Sequence, residues 1–457
     1  MTQRLRHLPV PLLFLACLVA GGASAAGHWS NLALQLASLP LLVAAAVARR
    51  GSPLNAASRQ VLLLLAATLA LVALQLLPLP PALWSHLPGR APVADGFRIL
   101  GLPLPWLPLS LEPYRTVASA LWLLPAAAVL LGIVVLGVYR ASWIAWCLAG
   151  VAIVGVALGA LQLAGGEGSV AYLYEITNHG AMTGFFANAN HFATLLFATI
   201  PFLAALYCKA TAKDRSIKRS SGLLVILAGI LALICVGFAG AASIAGIAIA
   251  LPVLAASVIL VISRNRRPPR WSGAVLVLLV AGSVAGAFAS PFNNNLTGKQ
   301  AHTAEDSRQR SFSITAQAAR EYFPLGSGIG TFQEVYRQHE DPAAINRFYM
   351  NHAHSDYLEL ALETGLPGLL LIAVFILWWG RRTWLLWRTD NPDPFARAAT
   401  IAVGGILAHS LVDYPLRTAA VSALFAVCCA LMAEPRSKVQ TRTSRDAGSS
   451  ARHLSAD

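Results

Sequence analysis

The segment NHAHSDYLELALETGLPG, residues 351–368, runs without interruption into LLLIAVFILWW, residues 369–379. Two histidines and three carboxylates therefore stand at the mouth of an apolar run. Residues 358–379 are long enough to cross a hydrocarbon core about 30 Å thick. Charged groups entering such a helix are costly, and they normally face a bundle interior or a wet cavity. Asp356 precedes Glu359 by three residues and Glu363 follows it by four, so all three share one helical stripe. At a helix N-terminus carboxylates also gain from capping and from the macrodipole, so these acids read equally as caps or as functional groups. Capping explains little about His352 and His354. An imidazole titrates near neutrality and accepts a proton from a hydroxyl.

The same length and apolarity recur along the chain. It has 457 residues, of which 56% are hydrophobic and 12% charged, about half the charged content of an ordinary soluble protein. The expected fold class is all-α: a polytopic helical membrane protein with about twelve transmembrane helices and a large, partly helical loop on the outer side. The proposed spans lie near residues 8–26, 29–48, 60–78, 116–138, 142–164, 186–208, 222–239, 241–262, 271–290, 358–379, 395–412 and 416–433. Alternating sides from a cytoplasmic N-terminus puts 24 of the 34 lysines and arginines inside and 14 of the 20 acidic residues outside. That asymmetry is the positive-inside bias. It turns the net charge of +14 into a topology signal and removes nucleic acid as a partner. Membrane lipids are the expected surroundings, and both termini are expected in the cytoplasm.

Four regions follow: residues 1–290 as the first nine spans, 291–356 as the outer loop, 357–433 as the last three spans, and 434–457 as a disordered cytoplasmic tail rich in Ser and Arg. Arg4, Arg6 and the ASA at 23–25 have the look of a cleavable signal; the first span is read as a retained anchor. The six cysteines fall in or at the ends of spans with no CxxC spacing, so they read as packing residues. A proline-rich outer segment, 79–115, carries Trp84 and Trp106 and reads as a loop on the outer membrane surface, passive or substrate-lining. In the outer loop, ITAQAAREYF has helical character, FPLGSGIGTF is a glycine turn, and Phe332, Tyr336, Phe348 and Tyr349 are available to pack. GSGIG lacks the preceding strand and the Lys-Ser/Thr of a nucleotide loop.

Further polar clusters mark the outer side. Arg308, Arg310 and Arg320 lie on a face that is otherwise net acidic. Arginine binds phosphate bidentately, although Glu305, Asp306 and Glu321 offer ordinary ion pairs. AHSLVDYPLR carries His409, Asp413 and Arg417 between the last two spans, and Asp413 and Arg417 are one helical turn apart. GFFANANHF places Asn188, Asn190 and His191 at the start of the sixth span, where amides cap a helix or bind sugar hydroxyls. No calcium loop, HExxH or carboxylate cage is present in the sequence.

From LPLSLEPYRT through TGFFANANHFATLLFATIPF to HSLVDYPLR, the chain resembles the O-antigen ligase and polymerase family of bacterial inner-membrane glycan-transfer enzymes. The most specific element is His354-Ser355, then nine residues, then Gly365-Leu366-Pro367-Gly368. The resemblance implies a periplasmic active site and a donor glycan on undecaprenyl diphosphate. It implies an acceptor hydroxyl on a lipid A–core or a growing polysaccharide, and no metal, nucleotide or other cofactor. It implies that His354 is the general base and that Arg310, or Arg308 in a shifted alignment, engages the donor diphosphate. Arg417 and Arg115 are further candidates for that diphosphate. His352, Asp356, Glu359, Glu363, Asp413 and Asn190 are candidate supporting residues, with Asp356 or Glu359 holding the base. One departure stands out: Ala242 occupies the place of an arginine that many members carry in GFAGAASIAGIAIA. The competing readings are a polytopic solute transporter and a non-catalytic family member; the absence of an inverted repeat and the one-sided polar clusters weigh against a transporter.

Overall fold

The computed structural model describes residues 7–25, 27–48, 53–211, 217–264, 267–269, 271–289, 301–340, 350–389 and 393–434, with only the backbone described over 217–220, 287–289 and 301–309. The 434–457 tail beyond Glu434, the side chain of Arg308, and Phe348 and Tyr349 lie outside the described residues.

The described chain is helical almost throughout. In order it forms α1 (Pro9–Ala20), α2 (Trp29–Val47), α3 (Ala56–Leu76), α4 (Pro81–Trp84), α5 (Ala91–Ile99), α6 (Pro113–Leu131), α7 (Ala141–Ala164), α8 (Ala189–Thr211) and α9 (Ile217–Ala241). There follow α10 (Ile244–Ile262), α11 (Ser272–Ala289), α12 (Ala301–Glu321), α13 (Phe332–His339), α14 (Asp356–Arg388), α15 (Pro394–His409) and α16 (Ala419–Ala433). Eight are long and apolar enough to cross a membrane: α2, α3, α6 with its continuation to Leu136, α7, α8, α9 from Ser221, α10 and α14. Shorter apolar helices, α1, α11 and α16, occupy three more of the expected positions, and α15, with Arg397 in its first turn, occupies the remaining one.

Helix α8 is the axis of the bundle. Nearly nine-tenths of its apolar window is buried, against about a fifth for α2 and α3, and it packs on α7, α9, α10 and α15. Leucine and phenylalanine on all its faces suit that central place. The helix ends fall into two sets. At one end Ala420 N–H donates to Gly21 O, Met182 N–H to Gly240 O, the Gln75 amide to Glu363 O, and Asp356 N–H to Ser410 O. At the other, Asn55 donates to Ala433 O, the Arg382 guanidinium to Met432 O, and Arg397 to Ser263 O. These two sets are the helix ends that charge asymmetry assigns to opposite sides.

The proline-rich segment is built, not slack. β1 (Pro78–Leu79) pairs antiparallel with β2 (Leu107–Pro108), closing the excursion that holds α4 and α5. Trp84 is buried and its indole N–H donates to Pro105 O, so it is a core residue of this excursion and not an interfacial anchor. Trp106 is exposed. Arg90 is buried, donates to Leu109 O and Gly326 O, and lies over the Tyr322 ring. Burial lowers its pKa to about 10.

A second, smaller core joins α12, α13 and the start of α14: Ala318, Tyr322, Phe332, Val335, Tyr336, Ala353 and Leu362. Helix α14 is two helical pieces broken at Gly365, whose φ of 56° and ψ of −144° suit glycine alone. Pro367 follows in the first turn of the second piece, where a missing N–H costs nothing. The break leaves Asp356–Thr364 as a short helix carrying the acidic stripe, above the apolar remainder.

Candidate active site

The glycine turn Gly326–Gly330 wraps the break in α14. Ser327 N–H donates to Leu362 O, Gly328 N–H to Glu363 O, and Leu366 N–H to Pro324 O. Gly330 N–H donates to Glu363 Oε1 at 2.8 Å. A Cβ on Gly365 would stand 2.1 Å from Pro324 O, and one on Gly326 would stand 2.6 Å from the Glu363 carbonyl. The FPLGSGIGTF turn thus supports the helix that carries His354's neighbours. Gln75 completes the support: its amide donates to Glu363 O and its Oε1 accepts from Ile329 N–H. A lone glutamine late in an apolar helix is the signal that the sequence offers for this role.

The acidic stripe closes on one cation. Arg417 lies 3.1 Å from Glu363, 3.4 Å from Glu359 and 3.7 Å from Asp356. Burial alone would lower its pKa, but Glu359, Glu363 and Asp356 more than reverse this and hold it above the normal arginine value. Each acid has a second tie. Asp356 Oδ2 accepts from the Ser410 hydroxyl at 2.7 Å. Glu359 Oε1 lies 2.8 Å from His352 Nδ1, and its Oε2 accepts from Ala353 N–H at 2.9 Å. Asp356 or Glu359 was expected to hold His354; Glu359 is engaged with His352 and Asp356 with Ser410. The three acids and Arg417 form an internal ion cluster, whereas the N-cap of α14 is Ser355, which accepts from Leu358 N–H.

His354 sits between these features with φ of 55°, one of two described non-glycine residues at positive φ. The other is Ala242, at the turn between α9 and α10. The His354 ring meets the Tyr414 ring edge-on at 5.2 Å between centroids. His191 and His352 meet the same ring at 4.9 Å and 4.6 Å. Tyr414 thus gathers three imidazoles from two parts of the chain, and nothing in the sequence singled it out. Asp413 is buried beside them, 3.7 Å from His191 Nε2. Burial would raise its pKa, but the approach of His191, then the charges of His409 and His354, hold it well below the usual carboxylate range. His409 is hydrogen-bonded through Nδ1 to Thr194.

The remaining residues divide sharply. Asn190 is buried and accepts from the Ser243 hydroxyl at 2.7 Å, tying α8 to the Ala242 turn. Arg115 pairs with Glu334 at 2.5 Å and with Gln333. Arg310 is exposed on α12, in the field of Tyr336. Arg320 lines a shallow cleft with Ala319, Phe323 and Ala361. The structure therefore brings together His354, His352, Asp356, Glu359, Glu363, Asp413 and Arg417, while Arg115 and Arg310 stand on the α12–α13 side.

Among models of known families, the one described as O-antigen ligase matches residues 227–373. That stretch runs from α9 to the middle of α14 and contains Ala242, Arg310 and the whole His352–Glu363 segment. No curated protein matches the chain.

Proposed function

We propose that the chain, which matches the O-antigen ligase family model over residues 227–373, transfers a glycan from undecaprenyl diphosphate to an acceptor sugar hydroxyl at the outer face of the inner membrane. The acceptor oxygen attacks the anomeric carbon. The bond from that carbon to the diphosphate breaks, and its electron pair leaves with the phosphate. The hydroxyl proton passes to His354. Arg310, with Arg308 beside it in sequence, is the cation for the diphosphate. It is the exposed guanidinium of the set, whereas Arg417 and Arg115 already have carboxylate partners. Neutralising the departing charge is the larger electrostatic contribution in such a site. Holding two glycans in register removes much of the entropic barrier.

The observation that carries this reading is the backbone of His354. A histidine in the left-handed region costs about 1–3 kcal/mol, and such strain persists where the surroundings over-determine it, which is commonest at reacting centres. His354 is held there beside Asp413 and Tyr414, at the same end of the bundle as the glycine turn.

The test is removal of the protein followed by analysis of surface glycans and lipid-linked intermediates. Long chains accumulating on the lipid carrier identify a lost ligase. Single repeats accumulating identify a lost polymerase. An unchanged profile would overturn the proposal.

A further inference from the structure

We propose that Glu359 is the positioning residue of the histidine pair: it grips the two residues before His354 and thereby holds that residue in its left-handed conformation. The inference rests on the reading of His354 as the proton acceptor.

Glu359 stands one turn into α14 and is 1% exposed. Its carboxylate reaches back past the N-cap Ser355. One oxygen takes the His352 side chain through Nδ1 at 2.8 Å, and the other takes the Ala353 backbone N–H at 2.9 Å. An ionised carboxylate only accepts, so His352 Nδ1 carries the hydrogen. Two consecutive residues are thus fixed immediately before His354. Two residues after it, Asp356 N–H is shared between Ser410 O at 3.0 Å and Asp413 O at 3.2 Å. His354, with φ of 55°, and the N-cap Ser355 are the two residues between these anchors. Neither anchor touches the reacting atoms. Together they restrain the two-residue link from both sides and favour the left-handed conformation at 354.

The charged surroundings fit this role. Arg417 Nη1 lies 3.4 Å from Glu359 and supplies a counter-charge without displacing either hydrogen bond. Asp356 and Glu363 share that cation from the same helix. Around His354 itself stand Asp413, Tyr414, His191 and His409, contributed by α8, the end of α15 and the turn after it. Glu359 is the carboxylate in this set that holds both a side chain and a backbone group of the NHAHS segment.

The experiment uses the full-length protein in lipid nanodiscs with undecaprenyl diphosphate-linked glycan and acceptor. It measures kcat, KM and the pH profile for Glu359→Gln, Glu359→Asp, His352→Asn and His354→Ala. A misplacement of about 1 Å costs on the order of 10²-fold in rate. Both Glu359 variants are expected to lose kcat on that scale with donor KM little changed. Glu359→Asp keeps the charge for Arg417 but falls one methylene short. Glu359→Gln removes a negative charge near the base, so the acid limb of its profile moves to lower pH, whereas that of Glu359→Asp stays. A purely structural role would not separate the two. His352→Asn retains a donor at the Nδ1 position and is expected to keep most of kcat. Wild-type kcat in both Glu359 variants, or His352→Asn as inactive as Glu359→Gln, would overturn the inference. His354→Ala retaining transfer would instead overturn the reading of His354 beneath it.

Discussion

Arg417 Nη2 lies 3.1 Å from Glu363 Oε2, although the two residues are 54 positions apart and sit on different helical segments. This contact fastens the turn between α15 and α16 to the break in α14. Through Glu363 Oε1 it continues to Gly330 N–H. One ion pair thus links the acidic stripe, the glycine turn and the loop that carries Asp413 and Tyr414.

Arg417→Ala leaves three carboxylates in the interior without their cation. Breaking a buried pair from one side costs about 3–5 kcal/mol, and the lower end applies here because about a fifth of the Arg417 side chain remains exposed. The expected outcome is a marked fall in unfolding temperature in detergent and reduced protein in the membrane. Arg417→Lys should recover part of the loss, since lysine keeps the charge but not the forked geometry.

Gly365→Ala meets two obstacles at once. The residue has φ of 56°, and the added Cβ would stand 2.1 Å from Pro324 O. Loss of about 2 kcal/mol or more is expected, read as a lower unfolding temperature. Gly380→Ala is the control. It lies in the second piece of the same helix, with nothing within 4 Å of the added Cβ, and it should be neutral or slightly stabilising.

Arg310 and Arg115 should respond differently. A hydrogen bond to a charged group contributes about 1.5–3 kcal/mol, so Arg310→Ala is expected to lower kcat/KM for the lipid-linked donor by about 10–100-fold. Its unfolding temperature should not change, because the side chain is exposed. Arg115→Ala frees Glu334 from its pair and should affect donor kinetics much less. Equal kinetic losses in the two variants would count against Arg310 as the diphosphate cation.

The depressed pKa of Asp413 sets a pH window. Its folded value lies below the unfolded value of about 4. The stability it contributes is therefore complete above about pH 4 and is lost as the pH falls through lower values. Unfolding temperatures of the wild type and Asp413→Asn should differ most near neutrality and converge below about pH 4.

The long apolar helices are legible in the sequence because membrane helices announce themselves locally, by apolar length and by charge at their ends. The stripe Asp356–Glu359–Glu363 was legible from spacing alone, and the glycine turn from its composition. The same logic misplaced Trp84. Tryptophan near a span end suggests the headgroup layer, but here the excursion folds on itself and buries the ring against Pro105. It also passed over Gln75, Arg90 and Tyr414, whose importance lies in contacts with residues distant in sequence.

The order of helices and the placing of two histidines and three acids at one helix mouth follow from the amino-acid order alone. They depend on residues within a few positions of one another, where chain geometry leaves little choice. Which acid meets which base was decided only by the folded bundle. Helical spacing sets a common face for three carboxylates but does not say what arrives opposite it. The packing of α15 and α16 against α8 and α14 brings Arg417 to that face and Tyr414 to three imidazoles. Within these limits Glu359 turned to His352, and His354 was left between two anchors.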